Sequence, residues 1–489
     1  MSSLIFLPIL IPFLGFCITL TFFRNQVAQK YLSLLIAVAH FSVALLLTSS
    51  DGLFSMTMGG WEAPFGISIE LDLLSRILIL VTSLIYLAVI LYCKPGDNGE
   101  TSPLLFPLLN IIVCGISGAF STADLFNLYV WFEVTLLSSF VLSTLEGDGQ
   151  RYAGALKYII INILSSLIFL LAAGLIYHGT HTLNFGDLQS RLAAMAISEP
   201  WYTTMLSLTL FTAFAIKSAL FPFHSWLPAS YHHLSPTVSA IFGGLLTKVG
   251  LYAIFRITLS VFPYQSYVTD ILAWLAGITM LVGVMGAVAQ THVRRILSFH
   301  IMSQVGYIAM AGVLINSPDA TVRVAGFTAA IFYMVHHIIV KTNLFLVSGL
   351  IRSCLGSERL KELGGLRHSS PLIAILFAIP ALSLAGLPPS SGFWAKFLLI
   401  KASLSAELYI PVLIMIIAGF FTLFSMTKIW LGAFWEPLEE PRPAQKLSWS
   451  PVLACLILGV ASLSLAFHPD YILDRAKAAA VSLQERGAS

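Results

Sequence analysis

The stretch FAIKSALFPFHSWLPASYHHLSPTVSAIFGGLLTKVGLYAIFR, residues 214–256, places two lysines and three prolines among mostly apolar residues. Pro222 and Pro228 fall in its first half, and a proline inside a helix removes a backbone donor and breaks the helix. At membrane depth, irregular backbone is tolerated only where other protein or a water-filled cavity covers it. The pattern predicts a membrane helix that is interrupted near Phe221; a simple packing kink is the alternative.

The composition places this stretch in a membrane protein. Apolar residues make up 57% of the 489 residues, charged residues make up 10%, and the mean hydropathy is +0.88. Soluble proteins carry about 25% charged residues. Most of the long charge-free runs can cross a hydrocarbon core about 30 Å thick as a helix, and the alternation of a transmembrane barrel is absent. We therefore predict an all-α, polytopic membrane protein.

The apolar runs predict about fourteen membrane-spanning helices. They cover residues 2–22, 31–49, 72–93, 103–120, 124–145, 156–177, 203–222, 236–257, 270–289, 294–314, 321–350, 371–400, 409–433 and 450–468. The first is interpreted as a retained helix, because no basic n-region or cleavage site accompanies it. The twelfth contains AGLPPSSG at 385–392 and is, like the seventh, predicted to be discontinuous.

Lysines recur with similar spacing at the two interruptions. Lys217 and Lys248 are 31 residues apart. Lys396 and Lys428 are 32 residues apart. Two interruptions in corresponding places are expected of a transporter that is built from repeats. The correspondence is imperfect, because the second half has no carboxylate where Glu133 precedes Lys217 in the first.

The loop charges predict the orientation in the membrane. Loops that follow odd-numbered helices contain thirteen Lys and Arg residues, and the other side contains eight. The 50–71 loop has Asp51, Glu62 and Glu70 but no Lys or Arg. The positive-inside rule therefore places the 351–370 loop in the cytoplasm and both termini outside.

Six charged side chains lie inside the apolar runs. They are Glu133, Lys217, Lys248, Lys341, Lys396 and Lys428. A charge at the centre of an isolated helix costs about 2.5–3.5 kcal/mol, so six of them cost on the order of 15–20 kcal/mol if unpaired. That exceeds the net stability of a typical fold, about 5–15 kcal/mol, so these groups must pair, lose their charge or line water. Snorkelling to the interface is the alternative; it fits Lys428 well, Lys396 partly and Glu133 poorly.

A buried lysine is suited to carry protons. Burial disfavours its charged form and a nearby carboxylate favours it, so a lysine whose carboxylate partner moves can take up and release a proton. Glu133 is the single deep carboxylate and the expected partner of Lys217. His337 and Lys341 are spaced i, i+4 and share one helix face. Because histidine titrates near neutral pH, we predict a relay there; a packed, hydrogen-bonded histidine is the alternative.

Other chemistry is not indicated by the sequence. The five cysteines lie in or beside apolar runs without metal-type spacing and are predicted to be packing residues. No flavin, haem, iron–sulfur or nucleotide motif is present, so we expect no cofactor and no resident metal. The net charge of +3 does not point to nucleic acid. Na+ prefers several oxygen ligands, as other hard cations do, and Glu133 alone does not supply them.

Several motifs resemble one superfamily of membrane proteins. Residues 214–256, RRILSFHIMSQVGY at 294–307, the HxxxKTNLFL pattern at 337–346 and LSLAGLPPSSGFWAKF at 382–397 resemble the antiporter-like subunits of respiratory complex I, membrane-bound hydrogenases and Mrp antiporters. Within that superfamily, GGWEAPFGISIELDLLS at 59–75 and DLFNLYVWFEVTLLSSF at 124–140 are most similar to the MrpD subunits of Mrp-type multisubunit Na+/H+ antiporters.

The resemblance implies a fold of fourteen helices with two inverted five-helix repeats, helices 4–8 and 9–13, in which helices 7 and 12 are discontinuous. The corresponding segments are residues 1–103, 104–257 (first repeat), 258–433 (second repeat) and 434–489 (helix 14 and a tail). It also implies a proton path through Glu133, Lys217, Lys248, His337, Lys341 and Lys396. Lys428 matches no functional residue of the family.

The resemblance further implies a function. The chain is expected to move protons in exchange for Na+ as a subunit of a hetero-oligomeric complex with other Mrp subunits, in the lipid of a prokaryotic cell (inner) membrane. It is not expected to be an enzyme. One alternative is a proton-pumping subunit of a complex I-like NADH dehydrogenase or a membrane-bound hydrogenase, and another is a passive scaffold. Lys396 separates the chain from one complex I homologue, which has glutamate there.

Overall fold

The structure is a computed structural model that describes residues 4–50, 52–61, 64–95, 102–145, 147, 149–262, 266–315, 317–437 and 448–488. Residues 2–3 of the predicted first helix lie outside this range, as do four residues that enter the loop-charge argument: Asp51, Glu62, Arg442 and Lys446. Within the described residues, the strands are an antiparallel pair, β1 (Phe54–Thr57) and β2 (Ser68–Leu71).

Twenty α-helices make up most of the described chain. They are α1 (Leu7–Thr21), α2 (Gln26–Ser49), α3 (Leu73–Tyr92), α4 (Leu105–Ser121), α5 (Leu125–Thr144), α6 (Gly149–Thr180), α7 (Phe185–Ser198), α8 (Pro200–Lys217), α9 (Trp226–Ser230), α10 (Pro236–Ile241), α11 (Thr247–Ser260), α12 (Ser266–Ala289), α13 (Val293–Ile315), α14 (Ala320–Leu355), α15 (Leu366–Ser369), α16 (Pro371–Ala385), α17 (Ser391–Ser405), α18 (Tyr409–Trp430), α19 (Trp449–Phe467) and α20 (Asp470–Ala488). A π-turn, Phe242–Leu246, joins α10 to α11.

The described helices have the length and surface of a membrane protein. Ten are long and apolar enough to cross a membrane, and three shorter apolar helices, α1, α4 and α16, accompany them. Large apolar side chains are exposed on α2, α6 and α18, for example Leu35 (69% exposed), Leu167 (59%) and Phe420 (70%). Such a surface is typical of helices that face lipid. The all-α polytopic fold is confirmed, and the count of fourteen spans stays a prediction.

The centre of the protein is formed by α13, α14 and the helix that α10 and α11 make together, whose side chains are almost all buried. The 36-residue helix α14 packs against α13, α16, α17, α19 and α10. These inner helices carry Lys248, His337 and Lys341. Ionisable groups in membrane proteins face the bundle interior because lipid cannot solvate them, so the interior position agrees with the polar content of these helices.

Both predicted interruptions are present. α8 ends at Lys217 and α9 begins only at Trp226; α16 ends at Ala385 and α17 begins at Ser391. The seventh span was predicted to run to residue 222, which is wrong by about a turn. The ring of Pro222 clashes with a helical carbonyl four residues earlier, at Ser218, so the helix ends before the proline.

Two helices lie outside the predicted spans. α7 sits in the connection between α6 and α8, and α20 occupies the region predicted as a tail, where it packs against α3, α11 and α14. Their buried positions are Phe185, Leu188 and Leu192 in α7 and Ala476, Ala479, Ala480 and Leu483 in α20. Apolar residues at i, i+3 and i+7 mark an amphipathic helix, a signal that a search for long apolar runs does not detect.

Candidate functional site

Buried ionic side chains form two groups. Arg256 pairs with Asp72 at 2.5 Å, and Arg294 pairs with Glu358 at 2.6 Å; these pairs join the ends of helices. The second group, which we call the lysine row, consists of Lys217, Lys248, Lys341 and Lys396, each at most 8% exposed. In the described chain, the recorded hydrogen-bond acceptors of the lysine row are all neutral.

Lys217 is the last residue of α8, directly before the first break. Its Nζ donates to Ser166 Oγ of α6 at 3.0 Å and lies 5.2 Å from the centre of the Phe132 ring on α5. Glu133 is half-buried, and its Oε1 has no hydrogen-bond partner among the described residues. The Glu133 charge acts on Lys217 through space, and no closed ion pair joins the two in the part of the chain described.

Polar groups continue from Lys217 towards Lys248. Gly250 of α11 packs directly on the residues that follow α8, and a Cβ there would lie 2.5 Å from Ser218 Oγ, so glycine permits this close approach. The hydroxyls of Ser218 and Thr247 are buried and unpartnered among the described residues. Buried hydroxyls need hydrogen-bond partners, and water between the two helices can supply them.

Lys248, His337 and Lys341 meet at the centre of the protein. Lys248 Nζ donates at 2.6 Å to the carbonyl of Gly243, which belongs to the π-turn; such turns are frequent at functional sites. His337 is fully buried, lies within electrostatic range of both lysines, and has no hydrogen-bond partner on either ring nitrogen in the described chain. Lys341 Nζ donates to the Leu297 carbonyl of α13 at 3.1 Å. This arrangement favours a relay over a packed, hydrogen-bonded histidine.

Lys396 lies in α17, just after the second break. Its Nζ donates to the carbonyls of Leu384 at 3.2 Å and Ala385 at 2.8 Å, and lies 5.3 Å from the centre of the Tyr307 ring. Gly386 has φ of 86°, and a Cβ there would approach Lys396 Cδ to 2.8 Å, so a side chain at this position would displace the lysine. The C-terminal end of α16 carries partial negative charge and stabilises Lys396 in place of a carboxylate.

Lys428 has a structural role that the sequence did not suggest. It is half-buried, and its Nζ donates to the carbonyls of Val288 at 3.1 Å and Gln290 at 2.7 Å, where α12 ends. Basic side chains commonly bind the last carbonyls of a helix. Lys428 is therefore explained as a helix cap on a neighbouring helix rather than as a snorkelling side chain.

Sequence reasoning missed four polar groups beside the lysine row. They are Ser166, His300, Tyr307 and His336. His300 carries a signal in the sequence, since it is a histidine inside the apolar run of helix 10. Ser166 and Tyr307 carry none, because hydroxyls are common in membrane helices and only the packing of the helices brings these two to a lysine.

A cavity of about 860 Å³ opens at one end of the bundle, beside loops predicted to be cytoplasmic. Its walls include Arg151, Lys157, Arg294, Arg295, Arg352 and Arg359, three histidines (His232, His233 and His292) and Glu358. Burial, with the neighbouring His233 and Arg295, lowers the pKa of His232 to about 3, and burial lowers the pKa of His292. His232 and His292 are therefore neutral at neutral pH, and the positive character comes from arginine and lysine.

Comparison with known proteins places the chain among ion-translocating membrane subunits. Residues 122–422 match the family described as NADH:quinone oxidoreductase/Mrp antiporter, TM. The chain is 38% identical to the MrpD-type Na+/H+ antiporter subunit of Alkalihalophilus pseudofirmus, over 89% of this chain and 87% of that protein. A chain of the Mrp complex from Dietzia sp. has a TM-score of 0.91 and 30% identity, over 99% of this chain and 98% of its own length. A chain of respiratory complex I from Thermus thermophilus shares the fold, with a TM-score of 0.86 and 22% identity over 99% of both chains.

Proposed function

This chain belongs to the NADH:quinone oxidoreductase/Mrp antiporter family of transmembrane proteins, and we propose that it is the MrpD-type, proton-translocating subunit of a multisubunit Na+/H+ antiporter. It moves H+ across the membrane through Glu133, the lysine row and His337, in exchange for Na+. Its partners are other antiporter subunits, the two ions and membrane lipid. The similarity to an MrpD-type antiporter subunit and to a chain of an Mrp complex supports this assignment.

One observation carries the proposal. The lysine row is buried without a closed ion pair among the described residues, although the same protein pairs Arg256 with Asp72 and Arg294 with Glu358. A buried ammonium without a counter-ion is costly, so these amines must lose their charge or be hydrated. Either state suits a group that exchanges protons with its neighbours, and a passive scaffold has no use for such groups.

The geometry suggests how the proton moves. When the Glu133 carboxylate approaches Lys217, it stabilises the ammonium, and when it retreats, Lys217 releases the proton towards Lys248. Lys248, His337 and Lys341 then pass the proton through the centre of the protein. Lys396 is the terminal group, because the carbonyls exposed at the second break can bind the water that receives the proton.

The sodium half of the exchange requires a partner. Na+ prefers several oxygen ligands, and in the described membrane helices Glu133 is the one carboxylate far from a helix end. Asp72 is committed to Arg256, and Asp124 caps the start of α5. The lysine row repels a cation, so we infer that Na+ crosses in or beside another subunit and is coupled to the lysines electrostatically.

We also propose the setting in which this subunit works. It is a multi-pass protein of the prokaryotic cell (inner) membrane, with both termini outside, and the positive wall of the large cavity supports a cytoplasmic position for that end. Residues 104–257 and 258–433 form the two inverted repeats. It acts as a transporter subunit without a redox centre of its own.

Reconstitution into liposomes tests the proposal. The purified complete complex should acidify or alkalinise the lumen when a Na+ gradient is imposed, and this chain alone should not. Robust Na+-dependent proton movement by the chain alone would place the sodium site within these 489 residues and contradict the inference about a partner. A complete complex that moves no protons in response to Na+ would contradict the antiporter function.

The proteins that copurify with the chain separate the two active alternatives. Other small Mrp-type subunits are expected in the purified complex. An iron–sulfur or NADH-binding arm would instead assign the chain to a proton-pumping redox enzyme.

A further inference from the structure

One face of α13 connects two members of the lysine row. Leu297, His300, Gln304 and Tyr307 are spaced three, four and three residues apart, which places them on the same side of a helix. At one end, the Leu297 carbonyl accepts a hydrogen bond from Lys341 Nζ at 3.1 Å. At the other end, the Tyr307 ring centre lies 5.3 Å from Lys396 Nζ. This face therefore spans the gap between the two lysines.

The gap is too long for a direct transfer. Ten residues separate Leu297 from Tyr307, which corresponds to about 15 Å along a helix that rises 1.5 Å per residue. Proton transfer requires hydrogen-bond contact, with heavy atoms about 2.6–3.2 Å apart, or one intervening water. Intermediate groups must therefore lie between Lys341 and Lys396.

His300 occupies this gap. Its side chain is fully buried and lies within electrostatic range of both Lys341 and Lys396. Neither ring nitrogen has a hydrogen-bond partner among the described residues. A helical carbonyl points towards the residue four positions later, so a lysine bound to the Leu297 carbonyl approaches the level of His300.

The neighbours of His300 on the same helix can order water but cannot titrate. Gln304 accepts a hydrogen bond from the Tyr333 hydroxyl at 2.6 Å, and its Nε2 is buried without a partner in the described chain. The hydroxyl of Ser303 is also buried and unpartnered there. Buried polar groups of this kind are typically satisfied by internal water, which would bridge His300 to the level of Tyr307.

We propose that His300 carries the proton between Lys341 and Lys396. One ring nitrogen accepts the proton from the Lys341 ammonium, which becomes a neutral amine. The imidazolium then releases the proton from its other ring nitrogen to water, and that water protonates the neutral Lys396. No charge is created or lost overall, and His300 returns to its neutral form. This inference rests on the proposed proton path.

His336 is the competing route. It is buried within electrostatic range of Lys396, but its Nδ1 is 2.9 Å from Ser391 Oγ, which is itself 2.7 Å from Ser383 Oγ. One ring nitrogen is therefore engaged at the second break. His300, with both ring nitrogens unpartnered in the described chain, is better placed to accept a proton on one side and release it on the other.

The test uses the complete complex in everted membrane vesicles, with Na+-driven proton movement as the readout. We expect His300→Gln and His300→Ala to slow exchange about a hundredfold, the usual size of a lost general acid–base group. His40→Gln is the matched control, since His40 is also fully buried in a membrane helix but lies against Pro8 and Ser117, away from the lysine row. It should retain exchange. The amount of assembled complex is measured for each variant.

The outcomes separate the relay from the proposed function. Exchange close to the wild-type rate in His300→Gln, or loss in His336→Gln with His300→Gln intact, would overturn the relay. Equal losses of assembled complex and of exchange in His300→Gln would also overturn it, because they would indicate a structural role. Glu133→Ala serves as the reference: if it retains full exchange too, the proposed path fails as a whole. If only the His300 variants retain exchange, the path stands without this residue.

Discussion

The two broken helices hold their lysines in different ways. At the first break, Lys217 ends α8 and meets the Ser166 hydroxyl, with the half-buried Glu133 acting on it from α5. At the second break, Lys396 follows the interruption and binds two carbonyls at the end of α16. The first lysine depends on a side chain of another helix, and the second depends on the backbone of its own span.

This difference separates a movable partner from a fixed one. A carboxylate carries a full charge and can change rotamer, so it can switch the lysine between two protonation states. A helix C-terminus carries about half a charge and cannot leave. We infer that Glu133 and Lys217 form the switch of the path, and that Lys396 is a terminal group whose environment stays constant.

The largest effect is expected at the switch. Glu133→Ala and Lys217→Ala should each slow Na+-driven proton movement about a hundredfold or more, because either change removes half of one coupled unit. The double variant should be no worse than either single variant. Everted vesicles containing the assembled complex provide the measurement, and full exchange in Glu133→Ala would remove the basis for the comparison.

Replacing Lys396 separates proton transfer from capping at the second break. Lys396→Gln keeps a donor for the Leu384 and Ala385 carbonyls but cannot take up a proton, so exchange should fall about a hundredfold while the complex assembles normally. The thermal stability of the purified complex and its exchange rate in vesicles are measured together. Normal exchange in this variant would mean that the path does not end on α17.

A smaller effect is expected from Ser166→Ala. It removes the hydroxyl that accepts from Lys217 but leaves Glu133 in place, and a hydrogen bond to a charged group contributes about 1.5–3 kcal/mol. Exchange should therefore fall about tenfold and not be abolished. Ser165→Ala is the matched control, because Ser165 donates to the Ala213 carbonyl and does not contact Lys217. Equal effects of the two substitutions would show that Lys217 does not depend on this hydroxyl.

The smallest effect is expected from Lys428→Ala. This substitution removes a cap from α12 and should lower stability by about 0.3–1 kcal/mol, the usual size of a charge at a helix end. Exchange should be largely retained. Vesicle assays compare it with Lys396→Gln, and a Lys428→Ala variant that is the more impaired of the two would place the path on α18 instead of α17.

Much of the fold follows from the sequence because lipid imposes a simple requirement. Every backbone polar group in the hydrocarbon must be satisfied within a helix, so apolar runs identify the membrane helices and prolines identify the breaks. The helices α7 and α20 lie outside this rule. Their formation depends on packing a narrow apolar face against other helices, which a local hydropathy pattern does not specify.

The candidate path divides in the same way. The sequence by itself determined which charges are too costly to leave in lipid, and so identified Glu133, Lys217, Lys341 and Lys396 as groups that need an explanation. It could not distinguish Lys428 from them, because all five lysines lie in similar apolar runs. Only the tertiary structure showed that Lys428 caps α12 and that Lys396 is held by the end of α16. The cost of burying a charge depends on the residue and its depth, whereas its role depends on which groups of other helices reach it.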